Sequence, residues 1–302
     1  MNNLLPQLSL HKPAARWLGW ASAVFAVSGL VHLGVLLVSG GPWEGAVSYR
    51  KPLTFGISFA ALLWTLGWII DRLPARPRLE TVLATTLIGS SVLEVGLITM
   101  QAWRGVASHF NEATGGDTLV WAVMGISIGV MSVAFLGLAV WAVIERPQDP
   151  ATRLAVLAGL AIFFTGLGLG QWVVSLGVAY FGANDLVPDT VVTGGAGVVK
   201  FPHATAMHGL QVFIGAAILS GSGSLDARRR LGVVRMVVAG YTLFVLWSIV
   251  HTMAGRAPTD LAGIELAMAA AACGLLGVAA ARVVSAWRSH PVAAAGVGVT
   301  LR

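Results

Sequence analysis

The chain has 302 residues, 56% of them hydrophobic and only 11% charged, with a mean hydropathy of +0.80. Soluble domains carry roughly a quarter charged residues, so this composition excludes a soluble globule and predicts a polytopic membrane protein. The net charge of +6 and the pI near 10.2 do not signal nucleic acid, because the basic residues sit in short loops between apolar runs.

A helix that spans a bilayer needs about 20 apolar residues. The first such run, 17–39, follows a basic flank and is too long for a signal-peptide core, so it reads as an uncleaved first span. The second, 52–70, begins at "RKP", and the third, 81–103, carries Glu94 and ends in "QAWRGVAS". The fourth and fifth, 118–144 and 154–179, contain "GISIG" and "GLGLG", read as small-residue faces for close helix packing. The connection 180–202 is long and rich in Gly, Asp and Val, with enough chain to dip back or to cover a site. The sixth span, 203–221, opens with "HATAMHGLQ", the seventh, 232–253, runs into "HTMAGRAPT", and 261–282 is the eighth. Cys273 is the one cysteine and lies in that last run, which excludes an intrachain disulfide and a cysteine-based zinc or iron–sulfur site.

The expected fold class is therefore all-α, a transmembrane bundle of eight spans forming a single integral membrane domain over 1–302. A faint internal repeat pairs Arg104 with Arg256 and Lys51 with Lys200, and suggests two four-helix halves in tandem, 1–150 and 151–302. Fourteen Lys and Arg collect on the side of the N-terminus and five on the other. By the positive-inside rule this predicts both termini in the cytoplasm, in a bacterial-type cytoplasmic membrane.

The polar residues inside or beside the spans concentrate at one depth on the opposite, outward side. They are His32, Arg50, Lys51, Gln101, Arg104, His109, Lys200, His203, His208, Gln211, His251 and Arg256. Ionisable groups at such depth are costly and by default face the bundle interior, which predicts an outward-facing pocket. His203 and His208 are five apart, about 140° around a helix, so they cannot grip one ion as an i, i+4 pair does. His208 and Gln211 share a face. His32 and His251 read as hydrogen-bonded packing residues, and His109 as either loop or ligand. Glu94, mid-span on the face of Gln101, reads as a neutral hydrogen-bonded acid or the inner end of a proton path.

Three stretches, "RKPLTFGIS", "QAWRGVASHFN" and "HATAMHGLQ", resemble the KPxxFxxS, QxxRGxxSHFN and HxxxxHxLQ patterns of a bacterial multi-pass membrane protein family. The resemblance covers about a tenth of the chain, implies no activity, and points to Lys51, Gln101, Arg104, His109, Asn111, His203, His208 and Gln211. In plan, two four-helix halves with histidines on the outward side are also similar to haem A synthase, without that family's signature segments.

The first functional expectation is a haem- or metal-binding membrane oxidoreductase, with His109, His203 and His208 as ligands of haem or a transition metal. Lys51, Gln101, Arg104, Asn111, Gln211 and Arg256 would then bind the substrate or the cofactor's anionic groups. The alternative is a transporter or receptor for a small or lipid-borne anion. A metal-dependent hydrolase or transferase is third. The expected partners are the lipid bilayer and that anionic ligand, not nucleic acid; whether the protein is an enzyme stays open.

Overall fold

A computed structural model describes residues 4–43, 45–184 and 195–289. Its described residues form a short helix, α1 (Leu4–Leu8), and eight long ones: α2 (Pro13–Ser39), α3 (Arg50–Arg72), α4 (Pro77–Trp103), α5 (Gly115–Ile144), α6 (Pro150–Asn184), α7 (Lys200–Gly221), α8 (Ala227–Met253) and α9 (Gly263–Arg288). All eight long helices are long and apolar enough to cross a membrane. The protein is an all-helical, polytopic membrane protein. Its outer surface agrees, since Val24, Val27 and Val31 on α2 and Ile126, Val130 and Val133 on α5 are exposed, as lipid-facing residues are.

The helices run a few residues past the apolar segments because their ends are fixed by polar chemistry. Pro13, Pro77 and Pro150 open their helices at positions where a missing N–H costs nothing. Gly40, Gly105 and Gly255, with φ of 60°, 71° and 69°, take the left-handed turn that ends α2, α4 and α8. On the face where α2 begins, here the near face, Lys12 Nζ donates to Glu80 Oε1 at 2.7 Å and to the Ile70 and Leu73 carbonyls. Arg76 pairs with Glu145, and Arg230 with Asp149 at 3.3 Å. These links staple the near-face connections of neighbouring spans.

The same order of packing recurs in the two halves of the chain. In the first, α2 packs on α3, α3 on α4, α2 on α4 and α4 on α5; in the second, α6 packs on α7, α7 on α8, α6 on α8 and α8 on α9. The two halves meet where α3 touches α7 and α5 touches α6. Glycines set the closest approaches: a Cβ on Gly56 would stand 2.9 Å from Gly29 Cα, and one on Gly170 would stand 2.9 Å from the His203 ring. Gly166 seats Met207 in the same way, so "GLGLG" is a packing face. "GISIG" differs from its expectation, because a Cβ on Gly125 or Gly129 would meet no described atom. Ten residues of the 180–202 connection, 185–194, lie outside the described residues.

Candidate functional site

At the far face, the loop 104–114 between α4 and α5 is folded into a tight shape by its own sequence. The Asn111 side chain donates to the Ala107 carbonyl at 2.9 Å and accepts from the Ala113 amide at 3.1 Å. Phe110 has φ 54°, the only left-handed residue other than glycine among the described ones. A bulky residue rarely adopts this backbone, and it holds here because the ring is buried against Trp121, 4.9 Å between centroids, and against Gly177 of α6. The turn delivers His109 into the bundle.

His109 lies among Phe55, Phe110 and Trp121, with ring centroids at 6.3, 6.4 and 5.2 Å. Its Nδ1 is 3.3 Å from Lys51 Nζ and 3.0 Å from Ser108 Oγ. An ammonium can only donate, so Nδ1 accepts and the imidazole proton sits on Nε2. Nε2 faces Glu94 Oε1 at 3.9 Å. Burial first, then the positive charges of Lys51 and Lys200, hold the His109 pKa well below the usual imidazole value and keep the ring neutral. Glu94 is buried in α4, feels the charge of Lys51, and its Oε2 has no hydrogen-bond partner among the described residues. An unsatisfied buried carboxyl oxygen is costly to leave in place, which singles it out.

Gln101 and Arg104 belong to a second group. The buried Gln101 amide donates to Asp117 Oδ1 at 2.9 Å, and Arg104 reaches the same oxygen at 2.8 Å and Gln101 Oε1 at 2.5 Å. Asp117 also accepts from Thr114 Oγ1 at 2.7 Å, while its backbone N–H donates back to that hydroxyl, so Thr114 is the N-cap of α5. This group locks the end of α4 to the start of α5 and so closes the loop that carries His109. Sequence reasoning misses it, although "TGGD" has the spacing of a helix-start signal.

Arg256 makes the equivalent lock in the second half. It pairs with Glu265, which like Asp117 is the third residue of the following helix, and His251 Nδ1 lies 3.3 Å from the same Glu265 oxygen. His251 Nε2 meets the Ala257 carbonyl at 2.5 Å. His32 is a packing residue: the Trp103 indole donates to its Nε2 at 3.1 Å, which leaves Nδ1 to donate to the Ser28 carbonyl.

The predicted histidine ligands are held in three different settings. His203 Nδ1 bonds the Gly166 carbonyl of α6 at 2.8 Å. His208 is exposed on α7 and makes no hydrogen bond to a described residue, and Gln211, with its amide turned to suit its neighbours, donates to the Met207 and His208 carbonyls. Among the described residues no three His, Cys, Asp or Glu side chains come together as metal ligands do. The predicted pocket is thus divided: Lys51, His109 and Glu94 form one cluster, with Lys200 near enough to act on His109, while Gln101 and Arg104 stand in the adjoining lock.

The chain is thus a polytopic α-helical membrane protein with Lys51, His109 and Glu94 gathered toward one face. No family model, curated protein or solved structure matches it.

Proposed function

We propose that the protein is a transporter that moves a small anion together with a proton, with its binding site open to the far, extracytoplasmic face. The observation that carries this reading is Lys51, whose ammonium meets His109 of the far-face loop and whose charge also acts on the buried Glu94. One ammonium can neutralise one negative charge well. An anion held by Lys51 and Lys200 takes Lys51 away from Glu94, and a buried carboxylate that loses its cation takes up a proton. Anion binding and Glu94 protonation therefore favour each other, and by linkage each raises the affinity for the other equally.

His109 supplies the route. Its neutral ring accepts at Nδ1 and carries a proton at Nε2 toward Glu94, so a proton arriving at Nδ1 releases one at Nε2. Nε2 and Glu94 Oε1 stand 3.9 Å apart, so a proton passes between them only when a side-chain rotation brings them into hydrogen-bond reach. Lysines supply charge for a small anion, and the N-termini of α3 and α7, which carry no acidic residue in their first turns, add favourable dipole. The haem or transition-metal reading stays the second one, with His109 on Lys51 and Ser108 and His203 on the Gly166 carbonyl.

The test is proton movement into liposomes that hold the purified protein and an internal pH dye, driven by inward gradients of chloride, acetate or inorganic phosphate. At least one anion should acidify the lumen in wild type. Glu94→Gln should abolish acidification, and Lys51→Ala should weaken the anion dependence at least tenfold. If none of the three anions moves protons, or if Glu94→Gln behaves as wild type, the reading fails. A Soret band in the purified protein would overturn it in favour of haem.

A further inference from the structure

A second feature lies at the opposite face from this cluster. It is a groove of about 520 Å³ at the near-face end of the α8–α9 pair. It is lined by the apolar Leu225, Val233 and Val278 and by the exposed Arg229, Arg282 and Ser285. α9 is the least buried of the eight spans and packs chiefly on α8, so the groove opens sideways to lipid. Arg282 is exposed and has no carboxylate partner among the described residues, while Arg229 has only the exposed Asp226 at 3.5 Å. Arg228, Arg230, Arg235 and Arg288 cluster at the same end. Trp287 donates to the Leu219 carbonyl and the Ser222 hydroxyl there, and an indole so placed marks the membrane–water boundary.

We infer that this groove binds an anionic phospholipid from the near-face leaflet, its phosphate held between Arg229 and Arg282 and its first acyl segment laid along Val233 and Val278. A forked guanidinium suits phosphate oxygens, and two of them at the mouth of an apolar slot match a ligand that is charged at one end and aliphatic at the other. A free anion would gain nothing from the valines, and a zwitterionic lipid, which sets a fixed positive charge beside its phosphate, gains less from a cluster of arginines. Basic slots between spans that face an anionic leaflet are sites of this kind. The inference is independent of the proposed transport, since the groove shares no residue with Lys51, His109 or Glu94.

The experiment is native mass spectrometry of the intact protein, titrated in detergent with phosphatidylglycerol and, separately, with phosphatidylcholine. Wild type should bind one phosphatidylglycerol in clear preference. The double variant Arg229→Gln/Arg282→Gln should bind it about thirtyfold more weakly, as expected when two arginines no longer meet a phosphate at a membrane surface. Arg228→Gln/Arg235→Gln removes the same charge outside the groove and should keep the affinity. Val278→Trp fills the groove with charge unchanged and should weaken binding too, and monodisperse gel filtration checks that each variant is folded. Equal loss in the two double variants would reduce the site to general surface charge and overturn the proposal. Undiminished binding in Val278→Trp, or equal competition by inorganic phosphate, would also overturn it.

Discussion

His109 stays neutral because burial, and then the charges of Lys51 and Lys200, disfavour a further positive charge there. The sign of the pH effect follows. The unfolded chain binds this proton below about pH 6.5, whereas the folded protein resists it until much lower pH. The stability that His109 contributes is therefore complete above that value and is lost progressively as pH falls below it. Melting temperature should drop more between pH 7 and pH 5 in wild type than in His109→Gln, and equal drops would contradict this assignment. At this scale the sequence was informative about cost: Lys51, His109, Glu94 and Lys200 stood out because each is a polar group at membrane depth. It said less about partners. Gln101 and Arg104 looked like ligand residues, yet both serve Asp117, and a partner across a loop leaves no spacing signal in the chain.

The loop 104–114 shows how elements position the site. Its two ends are tied by Asp117, and its centre is pressed by Phe110 onto α6 at Gly177, where an added Cβ would come within 2.4 Å of the ring. Phe110 cannot retreat easily, since its backbone is already in the left-handed region. Gly177→Ala should cost about 1–3 kcal/mol of stability, as overpacking does. It should also lower proton movement, although Gly177 is not among the ring or hydrogen-bond neighbours of His109. Gly168→Ala, on the same helix but with open space around it, should do neither. Thermal melts and the liposome assay on both variants check this, and matching behaviour would mean that the seat on α6 does not set the loop. Helix existence was legible from the apolar runs. The conformation of Phe110 was not, because nothing in "SHFN" requires an aromatic residue to turn left-handed; burial from two directions imposes it.

Across the whole molecule, the register that places Tyr49 over Val199 at the starts of α3 and α7 also places Arg104 and Gly105 over Ala254 and Gly255 at the ends of α4 and α8. In that register Arg104 and Arg256, paired by sequence, occupy different backbone positions, yet both reach the third residue of the next helix. Under the same shift Lys51 and Glu94 fall on Phe201 and Phe244, which pack on each other at 6.5 Å and against Trp247. One half holds charge where the other holds aromatic rings, so among the described residues the second half has no counterpart of Lys51 and Glu94 at these positions. The span count and the basic side were legible because length and charge report them directly. Reporter fusions at residues 75, 148 and 225 should all read as cytoplasmic, and one extracytoplasmic reading would invert the site's orientation. The most direct test of the central claim is infrared difference spectroscopy of the reconstituted protein at neutral pH, with and without the anion that drives proton movement. The account predicts that the anion raises a protonated-carboxyl C=O band that is absent in Glu94→Gln. A band that is unchanged by the anion, or that persists in Glu94→Gln, would contradict it.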